Sequence, residues 1–112
     1  MKWVLLDTNF LIYCFDFKID IREEISCLFD NSYEIFVLDS VLKELEKLKK
    51  KGALTYASRF KILKGLEEKV DEDLVLFSQE GYIIATQDKE LKGRLKKPYV
   101  IIRQKKYLAL VE

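Results

Sequence analysis

The sequence predicts an α/β protein: a three-layer α/β/α sandwich around a central, mainly parallel sheet of four or five strands. Short continuous apolar runs recur along the chain, and such runs are typical of strands buried on both faces. Segments with helical spacing of apolar residues separate them, which indicates βαβ crossovers. At 112 residues, the chain is expected to form a single domain, 1–112.

The first half of the chain predicts two strands with two helices between them. Residues 3–6 form a continuous apolar run that is followed by Asp7, and "EIFVL", residues 34–38, is the second predicted strand. Between them, "FLIYCF" predicts a short helix. In "DIREEISCLFDN", residues 20–31, Ile25, Leu28 and Phe29 recur at helical spacing.

Two consecutive helices are predicted after the second strand. Asp39 or Ser40 can cap the first helix, which we expect Gly52 to break. Its apolar stripe consists of Val41, Leu42, Leu45 and Leu48. The stripe of the next helix consists of Tyr56, Ala57, Phe60, Leu63 and Leu66.

The last third alternates again. "VDEDLVLFSQEG" predicts a short acid-capped helix that stops at Gly81. "YIIAT" is the third predicted strand, "DKELKGRL" a short helix and "YVIIR" the fourth strand. The tail "YLALV" is a candidate for a further strand.

The chain contains no histidine, and this absence narrows the chemistry. It excludes Ser-His-Asp and Cys-His nucleophiles and any zinc site that needs imidazole. Acid–base or metal chemistry would have to be performed by carboxylates and lysines.

The two cysteines, Cys14 and Cys27, match no metal or redox spacing. We interpret them as two buried free thiols rather than a disulfide, which suits a reducing compartment. No apolar run approaches membrane length and no signal peptide opens the chain, so we expect a cytoplasmic protein with no membrane partner.

Acidic residues follow the predicted strands. Asp7 follows the first strand directly, and Asp88 comes shortly after the third. Glu44 lies one turn into the helix after the second strand, and residues 71–73, all acidic, begin the helix that leads into the third. In a sheet of this kind, a site forms beyond the carboxyl ends of the strands, where strand order reverses.

Carboxylates that converge in one crevice repel one another and need a cation to remain ionised together. Oxygen ligands of this kind suit Mg²⁺ or Mn²⁺ as a cofactor. Such an ion can orient a water and stabilise the leaving oxygen of a phosphodiester. Helix caps and turns would explain Asp71 and Asp88 individually, but not the edge that all the acids share.

Three segments, "VLLDTNFLI", "VLDSVLKELEKL" and "GYIIATQDKELKGRL", resemble the successive blocks of a PIN-domain ribonuclease over essentially the whole chain. The likeness is to the small archaeal PIN proteins grouped with VapC-type toxins and with the PIN nuclease of rRNA processing. No block is strongly specific alone, but their order and spacing are.

The resemblance implies a Mg²⁺- or Mn²⁺-dependent endoribonuclease in which the catalytic, metal-site acids are Asp7, Glu44, Asp71 and Asp88. The chain departs from the family pattern at "VDEDL". Counting back from "GYIIATQD" favours Asp71 as the third acid, with Glu72 or Asp73 as alternates. The supporting polar residues carried over from the family are Thr8, Asn9 and Thr86.

Charge is distributed unevenly although the net charge is only +1. Residues 88–106 contain eight bases and two acids, whereas residues 1–46 contain ten acids and four bases. A basic segment beside an acidic site is expected of a protein that grips phosphates. The predicted RNA-binding residues are Lys89, Lys92, Arg94, Lys96 and Lys97, and residues 47–51 form a second lysine cluster. Simple solvation of lysine-rich helices is the alternative.

Other interpretations fit less well. A phosphoaspartate hydrolase needs a second acid where Asn9 stands, and a receiver domain needs an acid pair where only Asp7 is available. The main alternative is a catalytically inactive PIN-fold module that binds RNA or a protein. The resemblance implies RNA as substrate, and is compatible with an antitoxin-type protein partner and with a homodimer.

Overall fold

The structure, a computed structural model, describes residues 1–30, 32–66 and 69–112. The strands in these ranges are β1 (Lys2–Leu6), β2 (Tyr33–Leu38), β3 (Lys61–Leu63), β4 (Ile83–Ala85), β5 (Tyr99–Arg103) and β6 (Tyr107–Val111). The helices are α1 (Thr8–Asp16), α2 (Ile21–Phe29), α3 (Asp39–Lys47), α4 (Lys51–Ala57), α5 (Val70–Gln79) and α6 (Lys89–Lys92).

The strands form one sheet in the order β3-β2-β1-β4-β5-β6. Strands β1 to β5 run parallel, and β6 is antiparallel to β5. In the register, Val4 lies between Ile35 of β2 and Ile83 of β4. The chain builds outward from β1 on one side through β3 and then returns to β1 on the other side with β4. The strand order therefore reverses at β1.

Both faces of the central strands are covered. Val4, Leu5 and Leu6 are consecutive and fully buried, although successive side chains of a strand point to opposite faces. Helices α1, α3 and α4 contact one another, and α5 contacts β4. The predicted three-layer α/β fold is confirmed.

The sheet has six strands rather than four or five, because β6 forms and because β3 replaces part of a predicted helix. Helix α4 ends at Ala57, and Leu63 pairs with Leu38 of β2. Phe60, Leu63 and Leu66 recur every third residue, a spacing that also suits a helix. As a three-residue edge strand with exposed Ile62, β3 shows no clear pattern of its own.

Gly52 does not break the helix that follows β2. Helix α3 ends at Lys47, Lys49 adopts a left-handed conformation with φ 57°, and Gly52 lies inside α4. The ring of Phe15 occupies the space that a Cβ at position 52 would need, so glycine here permits close packing of α1 on α4. The cap prediction was also wrong, since Leu38 is the N-cap and Asp39 is the first residue of α3.

Both cysteines are free, but only Cys14 is buried, and Cys27 is exposed. The prediction of two buried thiols was therefore wrong at Cys27, which lies on the solvent side of α2. Asn31, the last residue of the predicted second helical segment, lies outside the described residues. Within the described part of the chain, no helix is long and apolar enough to span a membrane.

Candidate active site

A cleft of about 910 Å³ lies beyond the carboxyl ends of β1, β2 and β4, at the reversal of strand order. Among the described residues, six acids line it, including the four predicted from the sequence, which come from different elements. Asp7 follows β1, Glu44 lies on α3, Asp71 lies in the first turn of α5, and Asp88 precedes α6. The shared edge expected from the sequence is therefore observed.

Asp7 is held by the backbone and by one hydroxyl. Its side chain is the N-cap of α1: Oδ1 accepts the backbone N–H of Thr8 at 2.7 Å. Oδ2 accepts the hydroxyl of Thr86, also at 2.7 Å, and the backbone N–H of Asp7 donates to the carbonyl of Ala85. Only 6% of Asp7 is exposed. Its carboxylate therefore has a fixed position at the base of the cleft.

Thr86 connects two of the acids. Its hydroxyl donates to Asp7 and accepts the backbone N–H of Asp88 at 3.1 Å. Asp88 in turn caps α6, because Oδ1 accepts the N–H of Leu91 at 3.0 Å. The alternative explanation of the acids as helix caps is thus correct for Asp88, which also lies in the cleft, and wrong for Asp71, because Lys69 is the N-cap of α5.

Thr8 and Asn9 occupy different environments. Thr8 is buried and contributes its backbone N–H to Asp7, whereas Asn9 is exposed and lines the cleft. Of the two predicted supporting residues, Thr8 therefore holds the carboxylate of Asp7 in place, and Asn9 lies near it on the solvent-exposed side of the cleft.

The acids influence one another electrostatically. The pKa of Asp7 is raised to about 6. Burial is the main cause, the hydrogen bonds from Thr86 and Thr8 lower the pKa, and the charges of Asp71 and Glu44 raise it. Partial burial of its carboxyl group, followed by the charge of Asp88, raises the pKa of Asp71. Ionising these carboxyl groups in the cleft therefore costs more free energy than ionising them in water.

The structure separates the three candidates for the third acid. Asp73 is fully buried, and its Oδ1 accepts the backbone N–H of Leu66 at 2.8 Å. Glu72 forms a 2.9 Å ion pair with Arg94, which lowers the pKa of Glu72. Asp71 lines the cleft and takes part in neither of these two contacts. The contacts of Asp73 and Glu72 therefore favour Asp71 as the third acid.

Asp39, which was expected only as a helix cap, also lines the cleft. Its Oδ1 accepts the backbone N–H groups of Ser40 at 2.8 Å and Gly65 at 2.9 Å. The bond from Gly65 is the main reason why the pKa of Asp39 lies below its ordinary value. A Cβ at position 65 would collide with the carboxylate of Asp73. Asp39 and Asp73 therefore hold the backbone of Gly65 and Leu66, just after β3.

Basic residues surround the acids, but most are not the predicted ones. Of the predicted RNA-binding residues, Arg94 lines the acid cleft. Lys89, Lys92 and Lys97 line a separate pocket of about 440 Å³, and Lys96 is exposed and donates its backbone N–H to Ser78. The lysines that line the acid cleft are Lys43, Lys47, Lys64 and Lys69. Only Lys47 belonged to a cluster noted from sequence.

The donor chemistry of the cleft fits a hard divalent cation, because all four candidate ligands are carboxylates. As placed, no three Asp, Glu or Cys side chains within residues 1–30, 32–66 and 69–112 are close enough together to hold one. Mg²⁺ commonly keeps several waters and uses one or two carboxylates. The cleft therefore suits an ion that shares its shell with water.

Comparison with known proteins gives consistent results. A family model described as a PIN like domain matches residues 4–105. Ribonuclease VapC4 of Methanocaldococcus jannaschii is 35% identical over 127 aligned positions, which cover 98% of this chain and 97% of that protein. The rRNA-processing protein fcf1 of Schizosaccharomyces pombe is 35% identical over 103 positions, which cover 84% of this chain and 53% of that protein.

A solved structure is also similar. The PIN domain endonuclease Utp24 matches with a TM-score of 0.80 and 27% sequence identity, covering 96% of this chain and 90% of that one. The likeness in fold therefore extends over nearly the whole chain.

Proposed function

Because this chain belongs to the PIN-like domain family, we propose that it is an endoribonuclease that hydrolyses RNA phosphodiester bonds with Mg²⁺ or Mn²⁺. The observation that carries the proposal is the convergence of Asp7, Glu44, Asp71 and Asp88 on one cleft. Four elements far apart in the sequence bring like charges together at the site where α/β sheets bind ligands. The ribonuclease and endonuclease names of the relatives support the same activity.

In this proposal Asp7 and one or more of Glu44, Asp71 and Asp88 would hold the ion, with water completing its shell. When bound, a divalent ion would supply orientation of a water, promotion of its ionisation and stabilisation of the leaving oxygen. Asp7 is the anchoring carboxylate, because Thr8 and Thr86 fix both of its oxygens. Thr86 is a positioning residue, since its hydroxyl sets the separation between Asp7 and Asp88.

The lysines of the cleft would bind the substrate. Lys43, Lys47, Lys64 and Lys69 stand around the acids, and cations at such positions attract a phosphate backbone without reading its sequence. Arg94 is engaged by Glu72 and would have to exchange that partner for a phosphate. RNA would therefore cross the acids between α3 on one side and Lys64 and Lys69 on the other.

The reaction balances without a protein nucleophile. The water oxygen bonds to phosphorus, the bond from phosphorus to the 3′ oxygen breaks, and a proton passes to that oxygen. The products carry a 5′-phosphate and a 3′-hydroxyl, and the 2′-hydroxyl takes no part. A metal-independent attack by the 2′-hydroxyl would instead leave a cyclic 2′,3′-phosphate.

We also propose a cytoplasmic location, because free thiols suit a reducing compartment. The likeness to VapC4 favours an antitoxin-type partner, whereas the likeness to fcf1 favours a processing role. Light scattering after size exclusion, with and without the product of the neighbouring reading frame, would distinguish a homodimer from a complex with such a partner.

The test is cleavage of a structured, end-labelled RNA in EDTA, Mg²⁺ or Mn²⁺, with analysis of the product termini. We expect cleavage only with metal, 5′-phosphate ends, and a loss of rate of about 100- to 1,000-fold in Glu44→Gln. Glu46→Gln, an exposed glutamate on the same helix, is the matched control and should cut normally. RNA binding without metal-dependent cleavage would instead indicate an inactive binding module.

A further inference from the structure

A second pocket adjoins the acid cleft and has a different chemical character. It has a volume of about 720 Å³, within the range of roughly 300–1,000 Å³ that ligand pockets occupy. Asn9 and Asp88 line both pockets, so the two are continuous at these residues. The remaining wall is aromatic and amide-rich, with Tyr13, Phe17 and Gln87 among its residues. Whatever occupies this pocket lies beside the acids.

Two aromatic rings form one side of the pocket. The rings of Tyr13 and Phe17 are almost parallel, with an interplanar angle of 4° and centroids 5.9 Å apart. Tyr13 is 43% exposed, so its ring is accessible to a ligand in the pocket. The Nζ atom of Lys105 lies 5.8 Å from the centroid of Phe17. The pocket thus offers an accessible aromatic surface with a cation beside it.

Another part of the pocket lining is held in place by strand contacts. The side-chain amide of Gln87 accepts the N–H of Ile102 at 2.6 Å and donates to its carbonyl at 3.4 Å. Gln104 and Lys105 form the turn between β5 and β6, with φ values of 53° and 55°. Because the Gln87 amide is occupied by backbone, this wall contributes shape more than hydrogen-bonding groups for a ligand.

We propose that this pocket is a subsite for a nucleobase of the RNA, stacked on Tyr13 next to the phosphate that enters the acid cleft. This inference rests on the proposed function and extends it. Aromatic side chains bind single-stranded bases by stacking, and a neighbouring cation satisfies the adjoining phosphate. Since every base has a π-face, the subsite would position RNA without selecting a sequence. Tyr13 is therefore a positioning residue for the scissile bond.

The test compares a ligand with bases and a ligand without them. The probes are fluorescein-labelled hexauridylate and an abasic ribose–phosphate hexamer of the same charge, titrated into the Glu44→Gln variant. We expect Tyr13→Leu to weaken hexauridylate binding roughly 5- to 100-fold, with an unchanged slope of log affinity against log salt. Binding of the abasic hexamer should not change. Tyr13→Phe, which keeps the ring, should bind both probes normally.

Phe15→Leu is the matched control, because Phe15 is a 46% exposed aromatic residue on the same helix that faces Gly52 instead of the pocket. It should leave both affinities unchanged. An equal loss for both hexamers, or no loss, in Tyr13→Leu would overturn the subsite. Cleavage of RNA by the wild-type protein is measured separately. If the wild-type protein cleaves RNA but Tyr13→Leu shows no loss specific to hexauridylate, the subsite is rejected and the proposed function stands.

Discussion

Replacing Asp7 by Asn should stabilise the metal-free protein at neutral and alkaline pH. Asp7 is buried, and its pKa in the folded protein is about 6 against an ordinary value of 3.8. The folded state therefore holds the proton more tightly than the unfolded chain does. The stability this contributes is present below about pH 3.8 and is lost as the pH rises through about 6. Above that range, the ionised carboxylate destabilises the fold.

The size of the effect follows from the same contacts. The elevation of the Asp7 pKa corresponds to about 3 kcal/mol of unfolding free energy at high pH. In the variant, the amide oxygen can still accept the Thr8 N–H, but the amide nitrogen cannot accept the Thr86 hydroxyl. Losing that bond costs about 1–2 kcal/mol. The net gain is about 1–2 kcal/mol, or a melting temperature higher by about 4–8 °C.

The assay is thermal unfolding of wild-type protein and Asp7→Asn in EDTA at pH 8, 6 and 4.5. The advantage of the variant should be largest at pH 8 and should shrink or reverse at pH 4.5, where wild-type Asp7 is protonated. Asp20→Asn, at the exposed N-cap of α2, reports what this substitution costs at an ordinary cap. A variant less stable than wild type at pH 8 would refute the reasoning, because the hydrogen bonds of Asp7 would then stabilise the fold by more than its buried charge destabilises it.

Three further predictions concern the ion, the hydroxyl and the substrate. Mg²⁺ or Mn²⁺ should raise the melting temperature of wild-type protein but not of Asp7→Asn, because an ion that binds only the folded state stabilises it by mass action. Thr86→Val should lower the free energy of unfolding by about 1–3 kcal/mol, because the backbone N–H of Asp88 loses its acceptor. Thr86→Ser keeps the hydroxyl and should have the stability of the wild type in denaturant titrations. Lys64→Ala should reduce the salt slope of RNA binding by about 0.7, and a larger reduction in Lys89→Ala would contradict the proposed RNA path.

The sequence predicted the elements that are buried on both sides. β1 and β4 each contain three consecutive buried apolar residues, and the alternation with helices placed the carboxyl ends of the strands at one edge. β3 could not be identified, because a short edge strand needs only one covered face and its pairing partner lies far away in the chain. The left-handed turn at Lys49 also had no local signal, since lysine seldom adopts this conformation.

The residues of the site differ in the same way: some have a local signal in the sequence, and others depend on a strand that the sequence did not reveal. Asp7 follows its strand directly and Asp88 comes shortly after its strand, so local order along the chain reports their position. Asp39 also follows a predicted strand directly, so the same signal was present, but it was interpreted only as a helix cap. Lys64 could not be found, because it follows β3, which the sequence did not reveal. The shared location of the four acids is observed, whereas their roles as ligands and catalysts stay predictions.

The most direct test of the central claim is an anomalous difference map from a crystal soaked in Mn²⁺. The account predicts one or two peaks in the acid cleft, each about 2.0–2.5 Å from a carboxylate oxygen, with Asp7 and at least one of Glu44, Asp71 and Asp88 as ligands. The peaks should vanish in Asp7→Asn crystals soaked in the same way. An empty cleft at saturating Mn²⁺, or a peak held by other residues, would contradict a metal site built from these four acids.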